Sequence, residues 1–418
     1  WLARFKATNT PSLKKFGCYA RNLDELSLES MKQLRSLDLG SYQVSVTNGI
    51  HTEETPIKNS DAWIAQLGDR VGPSTLNLMG LPLQETDLSA LKNNSGIRHL
   101  NLIETGISFK QVQQLAGMKQ LESLFIRDCK LEQESLAWIL KEFPNLDELV
   151  INGESLATVD VSEHEHLRKL RITKLAKPER VSLVDVPLLK TELHLDQCPR
   201  QLEISNAKSM TGLSVNAPWP KHGKLQGMRD LDWFAAGGRY VTDKLIDEVL
   251  VCKKLDQLTL AYTSVSTSRL KKIGQLKTLS TLSVPGSNID PSVIAAWTEL
   301  KSLWDVNLDD NEISTATLVW LGNIKSLRRL SLNRAQLKNQ APEKLGNLTQ
   351  LSELQLAGVE IDQEQIRPLL QANNIESLNL SGWQIDDEMM NWLLDTKSLM
   401  LLTLHDCNLT PHQLEQFL

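Results

Sequence analysis

The chain is short of nearly everything that marks chemistry. Its five cysteines, Cys18, Cys129, Cys198, Cys252 and Cys407, lie far apart, and no CxxC or Cys/His spacing offers a zinc site. They read as mostly buried thiols, and the absence of paired spacings slightly favours a reducing, cytoplasmic compartment. No apolar run approaches the roughly 18–20 residues needed to span a bilayer, which excludes direct membrane insertion of this segment. No signal-peptide apolar region is present either, although the chain begins at Trp1, so a membrane-anchored or exported protein stays open if an upstream segment was removed. The excess of acidic over basic residues leaves a net charge of −6. That argues against a general nucleic-acid or anionic-membrane binder and leaves room for a local basic patch.

Catalytic motifs are missing too. There is no GxSxG, Walker loop, HExxH or kinase set. The densest group of possible ligands, Glu163-His164-Glu165-His166, reads as a solvated turn before a strand. Asp309-Asp310 and Asp386-Asp387 lack the spacing of a calcium loop. Gly237-Gly238 lacks the helix that would make it a phosphate cradle. The expectation is therefore a non-enzymatic protein with no cofactor and no metal.

What the chain does have is a period. Leu255, Leu279, Leu303, Leu327, Leu351, Ile375 and Leu399 recur every 24 residues. Call each of these position 1. Position 4 is then Leu258, Leu282, Val306, Leu330, Leu354, Leu378 or Leu402, and position 6 is again apolar throughout. Around them apolar and polar residues alternate, which is the pattern of a half-buried strand with positions 3, 5 and 7 turned outward. Position 11 is apolar, and position 12 holds the N-cap residues Ser266, Asp290, Ser314, Asp362, Asp386 and Thr410, with Lys338 the exception. Apolar residues return at positions 16 and 19, giving one buried stripe on a short helix. Each unit is a strand, a turn and a helix, and a fixed period of this length signals units that bury their apolar faces against one another.

This LxxLxLxxxx[LIV] pattern with its capped helix resembles the leucine-rich repeat, and the 24-residue period resembles a bacterial subclass of that family. The resemblance implies an α/β fold: a curved, right-handed solenoid with a parallel sheet on its concave face and short helices on its convex face. Position 9 departs from the family's asparagine, reading Thr263, Ser287, Asn311, Ala335, Val359, Trp383 and Cys407. Only some of these can hydrogen-bond, so the ladder that ties neighbouring turns together is expected to be partial. Residues 173–230 repeat at a shorter spacing, with pairs such as Val181/Leu183 and Leu202/Ile204, and predict extended segments on both sides with no helix.

The expected organisation is a lead-in or cap over 1–22, repeats over 23–172, short-period repeats over 173–230, and regular 24-residue repeats over 231–418. A polar, aperiodic stretch at 45–60 is expected to be an exposed loop, either a tolerated insertion or a partner contact. The last helix ends with Phe417 on a buried position and no capping unit, which leaves truncation or an oligomer through that end as readings.

The resemblance implies a protein or peptide partner on the concave sheet. The candidate residues are Trp233, Trp304, Asp305, Asn307, Asp309, Arg329, Ser331, Asn333, Glu353, Gln355, Asn379 and His405. Trp233, flanked by small residues, is either a binding anchor or a ring packed on a neighbouring unit. Trp138, Trp320 and Trp392 share position 18 and are expected to cover seams between helices. The same chain read as the ligand-sensing part of a larger membrane-anchored or surface receptor, or more remotely as a carbohydrate binder, would use the same face.

Overall fold

The computed structural model describes residues 73–162, 164, 166–173, 175, 178–195, 199–287, 289–338, 341–372, 374–410 and 413, together with 4–6, 15–17, 25–27, 36–39 and 60–68. The loop expected at 45–60, apart from Ser60, which opens a helix, lies outside these residues, as do Cys18, Cys198 and most of the expected cap. The chain divides into two compact units, Trp1–Met210 with His222–Gly227, and Thr211–Lys221 with Met228–Leu418.

Unit 2 is the regular one. Its strands Gly212–Pro218, Trp233–Gly237, Gln257–Ala261, Thr281–Ser283, Asp305–Asn307, Arg329–Ser331, Glu353–Gln355, Ser377–Asn379 and Leu401–Thr403 lie side by side in chain order. All pair in parallel, and from Gln257 onward the register advances by one period per strand, as in Thr281↔Asp305 and Asp305↔Arg329. A one-residue slip would turn Leu282, Val306, Leu330 and Leu354 to solvent. They are all within 1% of complete burial, so the register is fixed by the apolar row. Helices close most coils, and the predicted caps work as expected. Asp290 accepts from the amides of Ser292 and Val293, Ser314 from Thr317, and Asp386 from Met389. Ser266 is the exception: its hydroxyl donates instead to Asp243 of the coil before.

Unit 1 combines two coil designs. Strands from Thr75–Asn77 to Lys169–Thr173 form one parallel sheet, with helices such as Phe109–Gln113 and Ser135–Glu142 behind it. The strands Thr158–Asp160, Arg180–Val184, Gln201–Ser205 and Lys224–Gln226 form a second parallel sheet. Here a strand replaces the helix, and among the described residues no helix occurs between Glu142 and Asp243. Register advances by 21 residues from Arg180 to Gln201 and from Glu203 to Lys224. The first 22 residues contribute strands as well. Arg4–Lys6 pairs with Glu25–Ser27, and Lys15–Gly17 with Ser36–Asp38. The described residues of the segment read as a lead-in thus pair at the same 21-residue step as the short coils.

The tryptophans at position 18 cover seams between helices. Trp320 is buried, donates to the carbonyl of Trp297 and packs on its ring at 5.6 Å. Trp138 stands edge-on to Phe109 and Phe143. Trp392 lies under the guanidinium of Arg367.

Candidate functional site

The outward face of the unit 2 sheet has two edges with different chemistry. Along the leading edge, at positions 2 and 3, stand Trp304, Asp305, Arg329 and Glu353. Arg329 donates to Glu353 at 2.8 Å, approaches Asp305 at 3.7 Å, and lies over the ring of Trp304 at 5.4 Å. The four belong to three adjacent strands, so the parallel register brings them together. Trp304 remains 40% exposed even so. Partial burial holds the Asp305 carboxyl above the usual range, against the opposing pull of Arg329. Beside them, Gln355 is half-buried and its amide makes no hydrogen bond among the described residues.

The trailing edge is occupied by the fold itself. Asn307 at position 5 accepts the amide of Asp309 two residues on, at 2.9 Å. Asn77, Asn101 and Asn379 make the same bond in their own coils. Asp309 accepts from the Ser331 hydroxyl and the Asn333 amide, at 2.6 and 2.7 Å. Asn333 in turn accepts from the amide of Ala357 at 2.8 Å. His405 is exposed, and its own amide donates to Ser381. Of the predicted set, Asn307, Asp309, Ser331, Asn333 and Asn379 therefore hold the strand ends in place.

Those bonds prepare a corner. Position 8 is left-handed in coil after coil, at Gly238, Tyr262, Gly286, Asp310, Arg334, Gly358, Gly382 and Asp406, and likewise at Glu104 and Asp128 in unit 1. Gly238 is required there twice over, since a Cβ would also lie 2.8 Å from Pro218. The non-glycine corners form a chain of their own. Tyr262 crosses Gly286 to donate to Asp310, and Asp310 is gripped by Arg334 through two bonds of 2.7 Å. The bonds from Arg334 hold the Asp310 carboxyl below the usual range, and the hydrogen bond to Asp310 raises the Tyr262 phenol. Position 8 was readable in the sequence as a column rich in Gly and Asp, and the position-5 asparagines as a recurrence. Outward alternation alone concealed both.

Position 9 forms the expected partial ladder, with more kinds of donor than asparagine. Five residues of four kinds make one bond, each donating to the position-6 carbonyl of the coil before. Asn311 reaches Val284 at 2.9 Å, Ser287 reaches Leu260 at 3.2 Å, and Trp383 reaches Leu356 at 2.8 Å. Cys129 and Cys407 do the same to Leu102 and Leu380, each at 3.3 Å. The ladder is fuller than its sparse asparagines suggest, because an indole N–H and a thiol serve as donors. Ala335 and Val359 cannot join, and the Thr263 hydroxyl is buried without a partner. Burial pushes the Cys129 thiol up to about 12 and Cys252 to about 11, which disfavours the thiolate of both.

Trp233 is a packed ring. It is half-buried and lies over Gly212 of the adjacent strand, where a Cβ would collide with it at 2.0 Å. It belongs to the irregular start of the unit and sits three strands ahead of the group around Trp304. In unit 1, a polar recess of about 370 Å³ is lined by His99, Glu122, Ser123, Asp147, His166 and Arg168. Its carboxylates are already paired: Glu122 with Arg98 at 2.9 Å and Asp147 with Arg168 at 3.4 Å. Nearby, His164 accepts the Leu167 amide, and burial holds its imidazole below the usual range. Among the described residues no three His, Cys, Asp or Glu side chains converge as a metal site, and no helix is long and apolar enough to cross a membrane.

No family model and no curated protein matches the sequence. Solved structures do. A leucine-rich-repeat protein of Leptospira interrogans matches with a TM-score of 0.54 at 23% identity, over 87% of this chain and 92% of that one. An internalin of Listeria monocytogenes matches with a TM-score of 0.40 at 17% identity, over 75% and 82%. The Arabidopsis receptor kinase HAESA, solved with the peptide hormone IDA and the co-receptor SERK1, matches with a TM-score of 0.47 at 17% identity, over 95% and 75%. With the parallel coils, the apolar rows at positions 1, 4 and 6 and the position-9 ladder on the page, the chain has the leucine-rich-repeat fold.

Proposed function

We propose that the chain is a non-enzymatic recognition module that binds a protein or peptide along the leading edge of the unit 2 sheet. The observation that carries this reading is the group formed by Trp304, Asp305, Arg329 and Glu353. It joins a part-exposed aromatic to charges of both signs on three adjacent strands. Rigid strands hold such groups with little ordering cost on binding. A Trp beside an Arg is also the composition enriched where interfaces concentrate their energy. Gln355 adds a free amide, able both to donate and to accept along an extended backbone. The residues of the trailing edge support the partner indirectly, by fixing the strands on which it lies. In this reading Trp233, which lies over Gly212, serves the packing of its own unit.

The test is a selection of displayed peptides against the folded chain, followed by measurement on a Trp304→Ala/Asp305→Lys/Arg329→Glu variant of matched thermal stability. Peptides from the wild-type selection should lose affinity for the variant by at least about tenfold, the loss expected for one interface anchor. Selected peptides that bind wild type and variant equally would move recognition off this edge.

A further inference from the structure

A second feature of unit 2 lies outside the sheet face. Position 23, in the turn that leads into each strand, is lysine in four consecutive coils: Lys253, Lys277, Lys301 and Lys325. All four are exposed. The residues around them vary freely. Position 21 is Val251, Gln275, Glu299 or Asn323, and position 24 is Lys254, Thr278, Ser302 or Ser326. The fold uses only the backbone of position 23. Thr278 donates to the carbonyls of Lys253 and Leu255, and Ser326 to those of Lys301 and Leu303. Thr349 fills the position in the next coil, where Leu348 and Leu351 are just as buried as their counterparts. Nothing in the packing therefore asks for lysine.

The same bonds set the spacing. Because two of these turns hydrogen-bond to the one before them and the strands that follow pair in parallel one period apart, the lysines follow one another at close to the strand separation of about 4.8 Å. Like charges in such a file repel one another, and opposite charges within the protein scarcely relieve them. Among the described residues the one ion pair into the column is Lys301 with Glu299, at 3.6 Å with both side chains more than half exposed.

We infer that this column binds a linear polyanion, a sulfated polysaccharide running along the flank of unit 2. The column is one residue wide and several coils long, which fits a chain and not the plane of a membrane. It is all lysine. The ammonium is a point charge suited to sulfate oxygens of any orientation, whereas chains of carboxylates favour the forked guanidinium. No aromatic residue occupies positions 21 to 24 of these coils, so stacked bases find no platform. The site is separate from the leading-edge group, and either can fail without the other.

The experiment uses the full chain with heparin as the probe, and single-stranded DNA and polyglutamate as the phosphate and carboxylate comparisons. Heparin should bind at about 0.15 M salt, where surface charges are already largely screened beyond about 8 Å. The variant Lys253→Gln/Lys277→Gln/Lys301→Gln/Lys325→Gln should bind about a hundredfold more weakly, and its plot of log affinity against log salt should flatten by about three. A charge-matched variant of exposed unit 1 lysines, Lys92→Gln/Lys110→Gln/Lys130→Gln/Lys141→Gln, should bind as wild type does. Both variants should melt with the wild type. Absence of heparin binding at that salt, or an equal loss in the unit 1 variant, overturns the proposal. DNA or polyglutamate binding as tightly as heparin, and lost with the same column, reassigns it to another polyanion and overturns the sulfate reading.

Discussion

The two edges of the unit 2 sheet carry similar numbers of polar side chains and use them in opposite ways. On the trailing edge, Asn307, Asp309, Asn311 and Asn333 are bonded to backbone groups of their own or neighbouring coils. On the leading edge, Asp305, Arg329 and Glu353 meet one another's side chains and the ring of Trp304. The physical reason lies in what the chain does at each end of a strand. It leaves through a left-handed corner, which exposes amides and carbonyls that need partners. It arrives from a turn whose backbone bonds are met by the preceding coil, as Trp304 and Asp305 both donate to Ser280. Side chains are therefore free where the backbone is already satisfied.

The largest effect that would break this contrast is at Asn311, which is buried and donates to the carbonyls of Val284, Leu308 and Asp309 while accepting the Ser287 amide. Asn311→Leu should lower stability by about 3 kcal/mol in urea titration, since several buried backbone groups lose their partner. A cost below that of a leading-edge substitution would remove the distinction between the edges. Next comes Trp383→Phe, which keeps an aromatic ring but loses the pyrrole half of the indole with its bond to Leu356. It should cost about 1 kcal/mol, and hydrogen exchange should speed up locally in that coil and its neighbours. Smaller still is Arg329→Ala, whose ion-pair partners are part-exposed; its cost to stability should stay near or below about 1 kcal/mol. The gentlest probe is pH. His164 is held below its ordinary value by burial and accepts the Leu167 amide in its neutral form. Its contribution is complete above the unfolded value of about 6.5 and is lost as pH falls through the lower folded value. Thermal melts of wild type should decline over that window more than those of His164→Gln, and parallel curves would show that this imidazole is not titrating against the fold.

Much of this was legible in the sequence because one physical demand, burial of an apolar row, is written at a fixed interval. Leu258, Leu282 and Leu330 announce the strand, and Asp290 and Asp386 announce the helix starts, since capping depends on the local chain alone. The helix-free stretch was legible from the spacing of Val181/Leu183 and Leu202/Ile204. The candidate site was legible only in half. Alternation says which side chains point outward, and Asn307 and Arg329 both do. It does not say that Asn307 will turn back onto an amide two residues on, a choice made by the corner at Asp310 and its positive φ. Trp233 was ambiguous for a similar reason: what covers its ring is the missing side chain of Gly212, one strand away and 21 residues earlier.

The position-9 ladder has a consequence for how such coils are counted and exchanged. The four residue types at Cys129, Ser287, Asn311, Trp383 and Cys407 differ in size, polarity and letter, yet each residue delivers a proton to the same carbonyl of the coil before. What recurs is a vacancy of fixed height that accepts any donor able to reach it. A grammar of repeats written in donors and reach, rather than in residue names, would admit these coils as equals. It would also name the trades a designer can make between them: an indole for an amide, a thiol for a hydroxyl, with the turn unmoved.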